Sequence, residues 1–283
     1  MESTTLSLRD RPVFICGHPK AGTSLLRAVL DSHPQLVVYP EESGFFRRFL
    51  PLAKWQPLEQ QLALAEERLI HIFTWNRHTP PPSQAGFLDR DYSQISFDTV
   101  RQEMRRLIAE YYRDERDLLS AAVLAYGLAH GQEENGAQKP QHWVEKSPYN
   151  EFYAARIFSW WPEARCIHIL RDPRDNFLSY RRKHTSWSPE FFAANWNRST
   201  LAGFSNEKQY GKEHYFLLRY EDLVAQPTQK AQELMSFLQI DWDAALAAPT
   251  RAGQQWQGNS MFSQPFARTD GSVEISAAPV ARW

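Results

Sequence analysis

Short apolar runs alternate with amphipathic stretches along most of this chain of 283 residues. Val13-Phe14-Ile15-Cys16, Leu36-Val37-Val38-Tyr39, Trp143-Val144-Glu145, Ala164-Arg165-Cys166-Ile167-His168-Ile169-Leu170 and Tyr215-Phe216-Leu217-Leu218-Arg219-Tyr220 are rich in β-branched and aromatic residues and read as strands. Apolar residues spaced three and four apart predict helices over 25–30, 58–73, 97–112, 118–129, 150–160, 176–183, 189–204 and 228–238. The face of the 97–112 helix carries Val100, Met104, Leu107, Ile108 and Tyr111, and Thr228 is read as the cap of the last helix. Strand–helix alternation with right-handed crossovers gives an α/β fold: a central parallel sheet with helices on both faces, three layers in all. Between the second and third strands lies a helical insertion, about 45–140. It is interrupted by Thr79-Pro80-Pro81-Pro82-Ser83 and by a polar surface loop over 130–140. The insertion belongs to one domain spanning 1–283.

Composition narrows the functional classes. Hydrophobic residues make up 42% and charged residues 23%, and the net charge is -1, so a broad nucleic-acid-binding surface is not expected. The two cysteines, Cys16 and Cys166, both fall inside apolar strands, where they read as buried thiols rather than a disulfide framework or zinc site. The first ten residues lack the apolar core of a signal peptide, and no apolar run approaches the roughly 18 residues of a membrane span. These features lead us to expect a cytoplasmic chain with no nucleic-acid partner and no membrane span. Many of the aromatic residues fall between Phe45 and Tyr126, where they either pack the insertion or line an apolar acceptor pocket.

The first strand runs into Gly17-His18-Pro19-Lys20-Ala21-Gly22-Thr23-Ser24 and then a helix. A glycine loop between a strand and a helix start is a phosphate cradle, because first-turn N–H groups and the positive end of the helix dipole face the loop. The spacing Gly17-x4-Gly22 is nearly that of a nucleotide triphosphatase, but Thr23 stands where the lysine belongs and Lys20 lies mid-loop. Three further polar features fall at predicted strand ends: Glu41 and Glu42, Lys146-Ser147, and the stretch from Arg171 to Ser179. In open α/β sheets ligands bind at those ends. Asp172 and Pro173 suit the cap and first position of a helix, making a second anion site beside Arg171.

On these motifs the chain resembles the sulfotransferases that use 3′-phosphoadenosine 5′-phosphosulfate (PAPS). Gly17 to Ser24 looks like their 5′-phosphosulfate loop, and Leu170-Arg171-Asp172-Pro173-Arg174-Asp175-Asn176-Phe177-Leu178-Ser179-Tyr180 like their 3′-phosphate motif. Glu145-Lys146-Ser147-Pro148 and Arg219-Tyr220-Glu221-Asp222-Leu223-Val224 match two more segments in order. The resemblance covers about 11–238 and extends to a tail through Asn259-Ser260 and Ala281-Arg282-Trp283. It implies a P-loop-like fold, transfer from PAPS to an acceptor hydroxyl on a carbohydrate, lipid or small metabolite, and no metal requirement. By motif position Lys20 contacts the 5′-phosphate, with Ala21, Gly22, Thr23 and Ser24 cradling it. Arg171 and Ser179 hold the 3′-phosphate, Tyr220 lies near the adenine, and Lys146 stabilises charge on the transferring group.

A base must accept the acceptor's proton. The cytosolic phenol enzymes use a histidine three residues after a lysine; here Tyr149 takes that place. Carbohydrate and tyrosyl-protein enzymes use a glutamate after the second strand. The spacing to Phe45-Phe46 favours Glu42 on the carbohydrate pattern and Glu41 on the tyrosyl-protein pattern; Glu42 is preferred. His142 is a secondary candidate, and His168 reads as a core histidine. The basic run Arg181-Arg182-Lys183-His184 reads as a solvated helix end. Two other readings stay open: a small-molecule P-loop kinase, which would require a lysine at position 23, and a nucleotide-binding module without catalysis.

Overall fold

Five parallel strands in the order β2-β3-β1-β4-β5 form the central sheet of the computed structural model, which describes residues 8–82, 90–132, 139–181, 185–256, 258, 275, 280 and 281. The strands are β1 (Pro12–Cys16), β2 (Leu36–Val38), β3 (His142–Lys146), β4 (Arg165–Leu170) and β5 (Tyr215–Arg219). All five residues of β1 are buried, as a strand covered on both faces requires. Its side chains alternate between layers. Val13 and Ile15 enter the cluster formed with α1 (Thr23–Asp31) and the C-terminal helix, while Phe14 and Cys16 enter the cluster formed with the insertion.

The helices that follow are α2 (Leu50–Ala53), α3 (Leu58–Ala65), α4 (Phe97–Tyr111), α5 (Arg116–Ala129), α6 (Ala154–Trp160), α7 (Pro173–Arg181), α8 (Pro189–Tyr210), α9 (Tyr220–Ala225) and α10 (Pro227–Leu238). Helix α4 buries the five residues its periodicity selected, and Ser96 caps it by accepting from Thr99 N–H. The aromatic residues of the insertion are mainly packing groups. Phe45, Phe46, Phe49, Phe73, Tyr92 and Tyr126 are all buried, and Phe46 stacks on Tyr153 with ring centres 5.1 Å apart. Cys16 and Cys166 are buried free thiols on neighbouring strands.

Several elements differ from the pattern-based expectation. The 58–73 helix is α-helical only to Ala65, then widens into a π turn (Glu66–Ile70) and tightens into a 3-10 turn (His71–Thr74). Leu62, Ala65, Leu69, Ile70 and Phe73 stay buried throughout, so an apolar spacing alone does not distinguish the three pitches. Helix α8 continues past residue 204 to Tyr210. Gly203 does not break it and lies close against the sheet: a Cβ there would be 2.7 Å from the His168 ring. The last helix begins at Pro227 with Gln226 as its cap, so Thr228 lies inside the first turn. Beyond Trp242 the chain forms a 3-10 turn (Ala244–Ala247) and a small antiparallel hairpin, β6 (Thr250–Arg251) with β7 (Gln254–Gln255). Residues Arg182, Lys183, His184, Asn259, Ser260, Arg282 and Trp283, together with 133–138 of the surface loop, lie outside the described residues.

The chain leaves β1 toward β2 on one side and leaves β4 toward β5 on the other, while β1 and β4 pair directly. The crevice between their C-terminal ends is therefore the switch point at which open α/β sheets hold ligands. Gly22 lines it with φ +113°, and a Cβ at that position would lie 2.4 Å from Tyr220 Cδ2 and 3.0 Å from Ile169 Cδ1. Gly22→Ala is expected to destabilise the fold by about 1–3 kcal/mol, through backbone strain and displacement of the Tyr220 ring. A thermal denaturation midpoint equal to that of the unmodified chain would show that the loop relaxes without cost.

Candidate functional site

The loop after β1 enters α1 at Thr23 with Gly22 as a left-handed cap that makes no side-chain cap bond. The first-turn N–H groups of α1 accordingly face the loop. The Ala21 N–H donates to His18 C=O at 3.0 Å, closing the turn between them. Lys20 takes a left-handed backbone, φ +67°, and its carbonyl accepts from Arg171 Nη1 at 2.9 Å. The Arg171 guanidinium also lies 4.3 Å from the centre of the Tyr220 ring. Lys20, Gly22, Arg171 and Tyr220 thus form one contiguous wall, drawn from the ends of β1, β4 and β5. Ser179 lies two turns into α7, whose start is fixed by Asp172 Oδ1 accepting from Arg174 N–H at 2.9 Å.

Two buried contacts hold this wall from behind. Glu151 accepts from Gly17 N–H at 3.0 Å and from the Ser199 hydroxyl, fixing where the loop leaves the sheet. His18 is buried with its Nδ1 3.3 Å from Asn176 Oδ1, which ties the loop to α7. Burial pushes the His18 imidazole down to about 4, so it is neutral at physiological pH.

On the other side of α1 the ends of β2 and β3 meet. Lys146 Nζ lies 2.6 Å from Glu42 Oε1 and donates to Ser24 Oγ at 3.3 Å. The lysine side chain is 4% exposed and the glutamate 43%. Burial pushes the Glu42 carboxyl up, but the Lys146 ammonium at hydrogen-bond distance, helped by Arg48 and Arg90, leaves it below its ordinary value. Burial pulls the Lys146 ammonium down from its ordinary value, and the Glu42 charge opposes this. An accessible, ionised carboxylate therefore stands beside a buried cation at the start of α1.

Glu41 faces the other way. Its buried carboxylate accepts from Tyr92 OH at 2.7 Å and pairs with Arg90 Nε at 2.9 Å, with Arg251 Nη1 at 3.8 Å. The nearby Arg27 guanidinium is buried on α1, its pKa lowered by burial and by Arg251. These partners were not anticipated from the sequence. The signal available was Arg27 itself, a charge inside the apolar run Leu25 to Leu30. His142 is placed far from this centre: it opens β3, whereas Lys146 ends it, and four steps at about 3.3 Å separate them by roughly 13 Å. Its ring contacts the Arg11 and Leu238 carbonyls, and burial lowers it to about 4. His142 is thus removed as a candidate base. His168 is a core residue with Nδ1 2.8 Å from Tyr215 OH. Among the described residues, no group of three His, Cys, Asp or Glu is arranged to hold a metal ion.

A parallel sheet with a glycine loop at its switch point, Arg171 at the end of the neighbouring strand β4, and a lysine–carboxylate pair on the opposite flank at the ends of β2 and β3 defines a P-loop-like fold. The model of the sulfotransferase family matches residues 12–244, and the chain belongs to that family. Relatives include protein-tyrosine sulfotransferase A of Caenorhabditis elegans, 23% identical over 238 residues (82% of this chain, 50% of that protein). Protein-tyrosine sulfotransferase 2 of Gallus gallus is 25% identical over 286 residues (96% of this chain, 62% of that one). The chain thus spans about half to two-thirds of the length of these relatives. In fold it is similar to the sulfotransferase domain of the Synechococcus PCC 7002 olefin synthase, with a TM-score of 0.51, 19% identity, and coverage of 96% of this chain and 86% of that one. It is similar also to the sulfotransferase domain of the curacin biosynthetic pathway, with a TM-score of 0.52, 18% identity, and coverage of 96% and 89%.

The Glu42–Lys146 pair has a signed consequence for stability. Glu42's folded value lies below its ordinary value of 4.5, so its contribution is present above that pH and disappears as pH falls through the lower folded value. The melting-temperature gap between the unmodified chain and Glu42→Gln should be full at neutral pH and close in acid. The gap at neutral pH should correspond to about 1–3 kcal/mol, because the variant leaves the Lys146 ammonium, 4% exposed, without its anion, while solvent already screens the more open carboxylate. A pH-independent gap would show that the variant acts by some other route.

Proposed function

We propose that the chain transfers a sulfuryl group from PAPS to an acceptor hydroxyl, with Glu42 as the base. The observation that carries this reading is the Glu42 carboxylate at 2.6 Å from Lys146 Nζ, beside Ser24 of the phosphate-cradling helix. In the proposed step Glu42 takes the proton from the acceptor O–H as that oxygen forms its bond to sulfur. The bond between sulfur and the 5′-phosphate oxygen breaks, its electrons stay on the phosphate, and 3′-phosphoadenosine 5′-phosphate leaves. Lys20 and the amides of Gly22, Thr23 and Ser24 bind the phosphate that accumulates this charge. Lys146 stabilises the transferring group, a buried ammonium being worth more there than in water. Arg171 and Ser179 hold the 3′-phosphate, and the Tyr220 ring against Gly22 shapes the adenine end. Glu41 holds the loop rather than accepting the proton, because its carboxylate already faces Tyr92, Arg90 and Arg251. The names of the matched relatives add a tyrosyl hydroxyl on a protein to the carbohydrate, lipid and small-metabolite acceptors.

The kinase reading loses support at Thr23, which begins α1 where a triphosphatase carries its lysine. The test uses sulfur-labelled PAPS with an acceptor panel including a tyrosine-containing peptide, read by label transfer and mass. Lys20→Ala and Arg171→Ala should each weaken binding of 3′-phosphoadenosine 5′-phosphate by roughly ten- to a hundredfold, the scale of a lost charge-assisted bond. Glu42→Gln should lower turnover by about 10²–10⁴ while leaving that binding intact. Undiminished turnover in Glu42→Gln would remove it as the base, and undiminished nucleotide binding in both cation variants would sink the site.

A further inference from the structure

The turn that carries Glu42 is held from beneath by one fully buried carboxylate, that of Glu145. Adjacent residues of β3 point to opposite layers, so the same strand end grips the turn twice. Lys146 meets Glu42 on one side, and Glu145 meets Ser43 on the other, reaching Gly44 and Phe45 through two serine hydroxyls. Glu145 Oε1 accepts from the Ser43 hydroxyl at 2.6 Å, from the Ser147 hydroxyl at 2.6 Å and from Ser43 N–H at 3.3 Å. Its second oxygen accepts from Asn150 Nδ2 at 2.8 Å. Each hydroxyl in turn accepts a backbone N–H: Phe45 N–H donates to Ser43 Oγ at 3.1 Å and Gly44 N–H to Ser147 Oγ at 2.9 Å.

The direction of every proton in this set is therefore determined. A serine hydroxyl has one proton to give, and with an N–H arriving on its acceptor side that proton goes to Glu145. Glu145 serves as an acceptor at both oxygens, which a carboxylate can do and a carboxamide cannot. Burial pushes its pKa up, and the bonds from Ser147, Ser43 and Asn150 oppose that shift. A group this deep, receiving donors from the second strand's exit, its own strand's exit and the start of the next helical turn, fixes how those segments sit relative to one another.

We infer that Glu145 is a positioning residue: through Ser43 and Ser147 it sets the turn that keeps Glu42 against Lys146. Its kinetic consequence rests on the reading of Glu42 as the base, whereas the clamp itself does not.

The test compares the full chain with Glu145→Gln and with the milder Ser147→Ala, using hydrogen exchange read by mass spectrometry alongside kinetics. In Glu145→Gln the amide nitrogen must face either Asn150 Nδ2 or the serine donors. Exchange at Ser43, Gly44 and Phe45 should rise by about tenfold or more, the size expected for a broken buried bond, while α4 and α5 keep their protection. Affinity for 3′-phosphoadenosine 5′-phosphate should be unchanged. Turnover should fall, and the acid limb of the pH–rate profile should move up toward 4.5, because Glu42 loses its fixed cation. Ser147→Ala should show the same pattern at smaller size, and it decides the matter if the glutamine variant does not fold. Unchanged exchange at 43–45, or a rise spread equally over the whole chain, overturns the inference. An unmodified chain that binds the nucleotide yet transfers no sulfuryl group overturns the base assignment, while the exchange result still decides the clamp.

Discussion

A lysine ammonium that is almost wholly removed from water has to keep an anion against it. Leaving such a charge unpaired costs several kcal/mol, far more than an exposed ion pair returns. Lys146 meets this demand with Glu42, and the fold around the two can be understood as the means of holding them together. The lysine ends an interior strand and is buried. The glutamate lies on the loop after the short edge strand β2 and remains open to solvent. In the proposed reaction the same ammonium faces a second anion, the sulfonate of the donor. Its attraction is then divided between the two, and Glu42 becomes a better proton acceptor when the donor is in place. The pair is thus a base whose strength depends on occupancy.

The phosphate wall obeys a different constraint, that of close backbone approach. Gly22 has no room for a side chain because Tyr220 lies against it, and the Arg171 guanidinium packs over the Tyr220 ring. Arg171 also bonds the carbonyl of Lys20, which holds a left-handed backbone in the middle of the loop. The two anion sites expected at neighbouring strand ends share this hardware. A change at either should be felt at the other, since the guanidinium connects them directly.

Much of this was legible in the sequence because it is local. Strands with β-branched residues, the helix faces over 97–112 and the spacing of Gly17 and Gly22 depend on neighbours within a few residues. His142 could also have been excluded there, since a residue four places before a strand's end cannot reach that end. The choice between Glu41 and Glu42 could not be made locally. It depends on Tyr92, Arg90 and Arg251, which approach Glu41 from the insertion and from the C-terminal hairpin, far along the chain. Nor could the pitch of the 58–73 segment be read, since all three helical forms bury the same five side chains. The Ala21 N–H, which bonds His18 C=O, shows a finer limit: its direction depends on the left-handed turn at Lys20 and not on its position in the motif.

The partners of Glu41 also bear on the order in which the chain organises itself. The glycine loop is bordered by β1 and α1, which are consecutive, but it is fixed by Glu151 and Arg171, which lie 134 and 151 residues beyond the loop residues they hold. The turn bearing Glu41 and Glu42 is approached by Arg251, which belongs to a hairpin near the far end of the described residues. Contacts across such a separation form late, because closing a long loop costs entropy before any contact is gained. Loop and turn therefore both wait on distant parts of the chain, so the wall around Gly22 and the Glu42–Lys146 pair are expected to take shape together as the sheet closes, and to be lost together when it opens.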